Sequence, residues 1–266
     1  MIVILNLKGG IGNQIGDLFY SINYFLDINI KFSIRYCSFR RSDILNKFIY
    51  TDFRNLFDEN SFKKIKNYIS YDLISKKINN SNKIELKIGE YDIDLFNIYI
   101  KNYYNKDLYI FAENFFNMKI IMKNIYIRLD EFYPNQKILN IYKFVKNKIL
   151  PLNYNFIHLR FESDFKDFFG KNNIVGLKEI LSKIRFKNDY KIYLACSDIY
   201  YFWEDINKYK IFLYKDDLVE DMNLNYEEKA FVDLLIGINS QEFYGNKKSS
   251  FSQIISLIKG TKNFYN

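Results

Sequence analysis

At 266 residues, 48% hydrophobic and with two prolines, the chain is long enough to bury one large core or two smaller ones. Two distant cysteines, Cys37 and Cys196, exclude a disulfide framework, and a single histidine leaves almost no raw material for a zinc site. The formal charge of +8 is unevenly spread: residues 1–150 carry 23 Lys+Arg against 15 Asp+Glu, whereas residues 151–266 carry 16 of each. A basic first half attracts anionic partners such as nucleotides, nucleic acid or membrane headgroups. Nucleic acid is the weakest of these, because residues 1–150 hold only five arginines and no recognisable binding motif. Lys, Asn, Ile and Tyr are abundant throughout, as AT-rich coding produces, which lowers the weight of any single lysine run.

No apolar run reaches the length of a membrane span. Asn6 and Lys8 interrupt the opening MIVILNLKGG before a signal-peptide core can form. The expectation is a reduced, cytoplasmic protein without a transmembrane segment, with peripheral membrane contact left open.

Ile2 to Leu7 is a short run of β-formers, followed by KGGIGNQIGD and the amphipathic LFYSINYFL. This reads as strand, Gly-rich turn and helix, in which glycines admit a close ligand and the helix start offers N–H groups to an anion. A dinucleotide fingerprint fails, because after Gly10 and Gly12 the third glycine position holds Ile15; no acidic residue closes the next strand, KFSIRYCSF. A Walker loop fails too, for want of Gly-Lys-Ser/Thr. What stays is a turn carrying Asn13 and Gln14, readable as structural or as ligand-binding.

Further on, KIELKI and DLYIFA read as strands, and DIDLFNIYIKNYY and KILNIYKFVKNKI as helices. Asp92 and Asp94 form a DxD, the spacing by which many glycosyltransferases hold a divalent metal, but it opens an amphipathic run instead of closing a strand. Pro151 marks a linker, dividing the chain into units 1–150 and 151–266. Alternating strands and helices imply parallel sheets in both.

The second unit opens on YNFIHLRFESDF, residues 154–165. If its strand persists, His158, Arg160, Glu162 and Asp164 share one face. They then stand at the C-terminal edge of a sheet, where α/β proteins bind ligands. Asp198 ends a second strand, YKIYLACSD, at the same edge. Near the C-terminus an apolar helix containing Asp233 leads through a strand and a Gly245-Asn246 turn to Ser249-Ser250-Phe251-Ser252 at the next helix start. Hydroxyls and unpaired N–H groups there form an anion site or a plain serine cap.

Three stretches together carry a resemblance: GGIGNQI at 9–15, HLRFESDF at 158–165, and Asp233 followed by YGN-x-x-SSFS at 244–252. In order and spacing they resemble the protein O-fucosyltransferase family and the related α1,2- and α1,6-fucosyltransferases. The resemblance implies a GT-B enzyme with two Rossmann-like domains, the first on the acceptor side and the second binding the nucleotide sugar. It implies metal-independent, inverting transfer of fucose from GDP-fucose to a glycan or protein hydroxyl, with no other cofactor. By the same resemblance Arg160 binds the diphosphate and stabilises the departing charge, His158 shapes the nucleotide site and Asp233 accepts from the guanine edge. Ser249, Ser250 and Phe251 hold phosphate and nucleotide. Asn13, in the Gly10–Gly12 turn, lies beside the sugar, and Asp164 and Asp198 match further positions of the pocket. Some relatives carry a glutamate as general base where this chain has Asn13, and an amide cannot take a proton. Asp17 and Glu162 are then the candidate bases, with the acceptor or the leaving phosphate as alternatives. A GT-B enzyme using another nucleotide sugar, or a non-catalytic sugar-binding relative, is the alternative reading.

Overall fold

A computed structural model describes residues 2–40, 48–69, 83–85, 93–103, 109–112, 123–160, 176–197, 204, 206 and 212–265. Its contacts divide the chain into two compact units, one drawn from residues up to Asn135, the other from Gln136 onward together with Arg40.

The first unit contains β1 (Ile2–Asn6), α1 (Ile11–Asp27), β2 (Phe32–Arg40), β3 (Phe48–Asp52), β4 (Lys83–Glu85), α2 (Ile93–Tyr103) and β5 (Tyr109–Ala112). The strands form one sheet in the order β3-β2-β1-β5-β4, with β1 parallel to β2 and β5, and β4 parallel to β5. The chain moves outward from β1 to β3 and resumes on the other side, which makes the β1/β5 junction a topological switch point. Helix α1 buries Ile11, Ile15, Leu18, Ile22 and Phe25 at helical spacing, with the Phe25 ring 5.5 Å from that of Phe32. Its polar side is buried as well, because residues 123–127 lie along it. Asn23 satisfies all four of its hydrogen bonds there: its amide donates to the carbonyls of Phe19 and Ile127, and its oxygen accepts from the N–H groups of Tyr126 and Ile127.

The second unit contains α3 (Gln136–Ile149), β6 (Asn155–His158), α4 (Leu177–Lys183), β7 (Ile192–Ala195), β8 (Phe212–Leu213), α5 (Tyr226–Ile238), β9 (Phe243–Tyr244) and α6 (Ser250–Lys259). Its sheet runs β8-β7-β6-β9, all parallel. The register sets Phe156 beside both Tyr193 and Phe243, so three aromatic rings line one face. Phe156 stacks on Tyr193 at 5.6 Å, and the Phe243 ring lies 5.9 Å from Phe156. Helix α5 starts on a capping box, Asn225 with Glu228, and crosses this face where Gly237 leaves room for Phe156 and Ile255.

Two features differ from the sequence expectations. The contact boundary falls between Asn135 and Gln136, ahead of Pro151, because α3 packs on α5 through its buried Ile138, Tyr142 and Val145 and pairs Lys137 with Glu228 at 2.8 Å. The lysines of α3 therefore go with the second unit. Counted along the sequence on either side of this boundary, 19 Lys+Arg face 15 Asp+Glu before it and 20 face 16 after it, so the basic excess is not confined to the first part of the chain. Strand β6 also ends sooner than the alternation suggests, at His158, so Arg160 lies beyond the ladder. Asp92, Glu162, Asp164 and Asp198 lie outside the described residues, while Asp94 is exposed in the first turn of α2.

Candidate functional site

In the second unit the chain leaves β6 for β7 and β8 on one side and returns as β9 on the other. The β6/β9 junction is thus its switch point, and the crevice beyond the strand ends there is where such sheets hold ligands. His158 is the last residue of β6, fixed by the ladder to β7, where the N–H of Leu159 donates to the Ala195 carbonyl at 2.8 Å. Arg160 follows, half-buried, at the mouth of this edge.

The opposite wall is built by the turn between β9 and α6. Asn246 is buried and folds the turn: its side-chain oxygen accepts from the Lys248 N–H at 2.9 Å, and its carbonyl from the Ser249 N–H at 3.1 Å. Ser249 is the N-cap of α6, yet its side chain makes no capping bond, so the first turn keeps its N–H groups for another acceptor. Ser250 and Phe251 form that turn, both half-buried, and the Phe251 ring lies 4.4 Å from the His158 ring. The fold thus brings His158, Arg160, Ser249, Ser250 and Phe251 to one sheet edge.

Behind them stands a layer that sequence reasoning did not single out. Ser252, fully buried, has its hydroxyl 2.7 Å from His158 Nδ1 and accepts from the Asn246 N–H at 3.0 Å. Gly245 makes this approach feasible, because a Cβ there would lie 2.5 Å from the Ser252 hydroxyl and from the Phe243 ring. Tyr265 closes the back: its hydroxyl donates to the His158 carbonyl at 2.9 Å and accepts from the Arg160 N–H at 3.4 Å. Residues 263–265 are held in place by backbone bonds to Gly245. The SSFS run signals Ser252; no local pattern signals Tyr265.

Asp233, on α5, is buried with both oxygens engaged. Oδ1 accepts from the Tyr193 hydroxyl and Oδ2 from Lys215 Nζ, each at 2.7 Å. Burial pushes the Asp233 carboxyl up, against the pull of Lys215 and Tyr193. Burial also works against the Lys215 charge, but Asp233 and Asp216 outweigh it and hold the ammonium above its ordinary value. Burial, then the Asp233 charge, raises the Tyr193 phenol well beyond its usual range. The two donors are therefore protonated and the carboxylate is their shared acceptor. A guanine contact at Asp233 must share the lone pairs these bonds leave.

In the first unit the Gly-rich turn sits at the β1/β5 switch point. Its special backbone is at Gly9, with φ +89°, while Gly10 is an extended N-cap to α1. A Cβ at Gly9 would lie 2.7 Å from the Asn13 amide nitrogen, so Asn13 folds back over this residue. Gly12 and Asn13 follow Gly10 in the first turn of α1. Gln14 points inward, its amide donating to the carbonyls of Gly9 and Ser38 at 2.8 Å each, and serves to tie the turn to β2. Asp17 is also buried, 2% exposed.

Two parallel sheets, each with a strand-turn-helix at its switch point, define an α/β fold. Solved structures share it over nearly the whole chain. POFUT1 in complex with GDP aligns with a TM-score of 0.64 at 12% identity, covering 99% of this chain and 97% of that one. FUT1 of Arabidopsis thaliana in complex with GDP gives 0.60 at 11% identity, covering 98% and 69%. The α-1,6-fucosyltransferase NodZ co-crystallised with GDP gives 0.57 at 10% identity, covering 96% and 92%. No protein-family model matches the chain, and no curated protein matches it in sequence. Among the described residues no helix is long and apolar enough to cross a membrane.

Proposed function

We propose that the chain is a glycosyltransferase of GT-B architecture that transfers fucose from GDP-fucose to a hydroxyl of a glycan or protein. The observation that carries this reading is the gathering of His158, Arg160, Phe251 and the uncapped serine start of α6 at the β6/β9 edge. The fold it shares with GDP-bound fucosyltransferases supports the choice of nucleotide. Glycosyl transfer builds negative charge on the leaving diphosphate, and a fixed guanidinium with helix N–H donors is the apparatus that stabilises such charge. Arg160 supplies the first and α6 the second, which supports a metal-independent reaction. The first unit, with Asn13 at its turn, takes the acceptor side. The stereochemistry expected is inversion, and the compartment cytoplasmic. Proton removal falls to Asp17 or Glu162, to the acceptor itself or to the leaving phosphate.

A different nucleotide sugar is the second reading, favoured by one observation. Asp233, the residue expected to read guanine, already holds Lys215 and Tyr193.

Calorimetric titration with GDP, UDP, ADP and CDP, with and without EDTA, separates these readings. GDP binding that ignores EDTA and is lost in Arg160→Ala, with the fold intact by circular dichroism, is the expected result. Preference for UDP, or a requirement for a divalent ion, would transfer the case to another glycosyltransferase. An Arg160→Ala variant with near-normal turnover would end the assignment of Arg160.

A further inference from the structure

We infer that Ser252 is a positioning residue that locks the ring of His158 in one tautomer, with the proton on Nε2, so that His158 offers a fixed hydrogen-bond donor to the donor nucleotide's diphosphate. The nucleotide part rests on the functional reading above; the tautomer part does not.

The argument is one of hydrogen-bond direction. A serine hydroxyl has one proton to give and two lone pairs to fill. One lone pair of Ser252 accepts the Asn246 N–H at 3.0 Å. Among the described residues, the acceptor in reach of the Ser252 proton is His158 Nδ1, at 2.7 Å, and Ser252 is fully buried, so water does not offer another. If the ring instead donated from Nδ1, Ser252 would hold two donors and its own proton would be stranded without an acceptor in the interior. The chain Asn246 N–H to Ser252 O–H to His158 Nδ1 therefore runs one way, and an uncharged ring carries its proton on Nε2.

The neighbouring groups hold the ring as well as its proton. Phe251 packs against its face, the Tyr265 hydroxyl fixes its carbonyl, and Gly245 opens the space into which Ser252 fits. A donor whose orientation is set before the ligand arrives costs no reorganisation on binding.

Because the chain has one histidine, ring-labelled ¹⁵N-histidine gives an NMR spectrum of this ring alone. In the ligand-free protein near neutral pH, Nδ1 should resonate as an acceptor-type nitrogen and Nε2 as a proton-bearing one. Titration with GDP should then move the Nε2 signal and leave Nδ1 acceptor-type. Ser252→Ala should mix the two tautomers and weaken GDP binding by about tenfold. His158→Gln, whose amide can stand in for the remote nitrogen, should bind GDP better than His158→Asn. A ligand-free ring protonated on Nδ1 would overturn the tautomer assignment, whatever the ligand does. GDP binding that leaves Nε2 unmoved would overturn the donor role while sparing the functional reading. Absence of GDP binding, with the wild-type ring still protonated on Nε2, would overturn the functional reading and the donor role and uphold the tautomer.

Discussion

A methyl group at Gly245 would have to displace either the Phe243 ring or the Ser252 side chain, both 2.5 Å from where its carbon would sit. Neither is the free end of a flexible chain. Phe243 is fully buried in the aromatic row, and Ser252 is pinned between Asn246 and His158. Gly245→Ala should therefore lose about 1–3 kcal/mol of stability in denaturant titration and weaken GDP binding further through Ser252. The His158–Arg160 pair could be recognised in sequence, because a histidine and an arginine at the end of an apolar strand have few structural reasons to be there. Ser252 was half-visible, as one hydroxyl in a run of three. Tyr265 was not visible, because a tyrosine in a polar tail looks the same whether it bonds to solvent or to a backbone carbonyl 107 residues away.

At the scale of elements, the contact of α5 with the chain that follows β8 turns on a buried charge. Lys215 and Asp233 are almost wholly withdrawn from water, and their attraction is what offsets their desolvation. Lys215→Met should strand the carboxylate and cost about 3–5 kcal/mol, read as a lowered denaturation midpoint. Asp233→Asn added to it should recover part of the loss, because an amide can be buried at lower cost. A second buried pair, Glu227 with Arg40 at 2.6 Å, obeys the same rule. Neither pairing follows from spacing, since Lys215 sits in an acidic surface-like run and Arg40 is remote in sequence. The elements themselves were legible wherever one period dominated: α5 was readable as the apolar helix that carries Asp233. The end of β6 was not, because period-2 alternation in the sequence continued after the ladder had run out.

Across the molecule, the carboxylates of the first unit set its acid limit. The hydrogen bonds and charge of Arg54 hold Asp52 below its ordinary range despite opposing burial. Lys64 and the Arg128 backbone do the same for Glu131. Asp27, which burial alone would raise, is brought down by the N–H groups of Lys123 and Asn124. A depressed carboxyl contributes stability that is full above its unfolded value, about pH 4, and is lost as pH falls through the folded value. Thermal melts should thus be flat in this respect above about pH 5 and decline below about pH 4. Raised salt should flatten the decline, since these pairs are exposed. The charge balance shows how a boundary governs interpretation: the apparent basic half came from counting the α3 lysines on the wrong side, and only packing could say where that helix belonged.

The Tyr265 clasp also has a consequence for the order of events as the chain is made. Strand β6 emerges early in the second unit, but its neighbour β9 is synthesised after α5, and the hydroxyl that fixes its last carbonyl comes 107 residues behind. On a ribosome the edge that holds His158 cannot close until the polypeptide has passed residue 265 and cleared the exit channel. The nascent chain therefore carries a half-built sheet with an open β6 edge through most of the synthesis of this unit. That interval is when a chaperone would find it, and when a stray strand would cost the most.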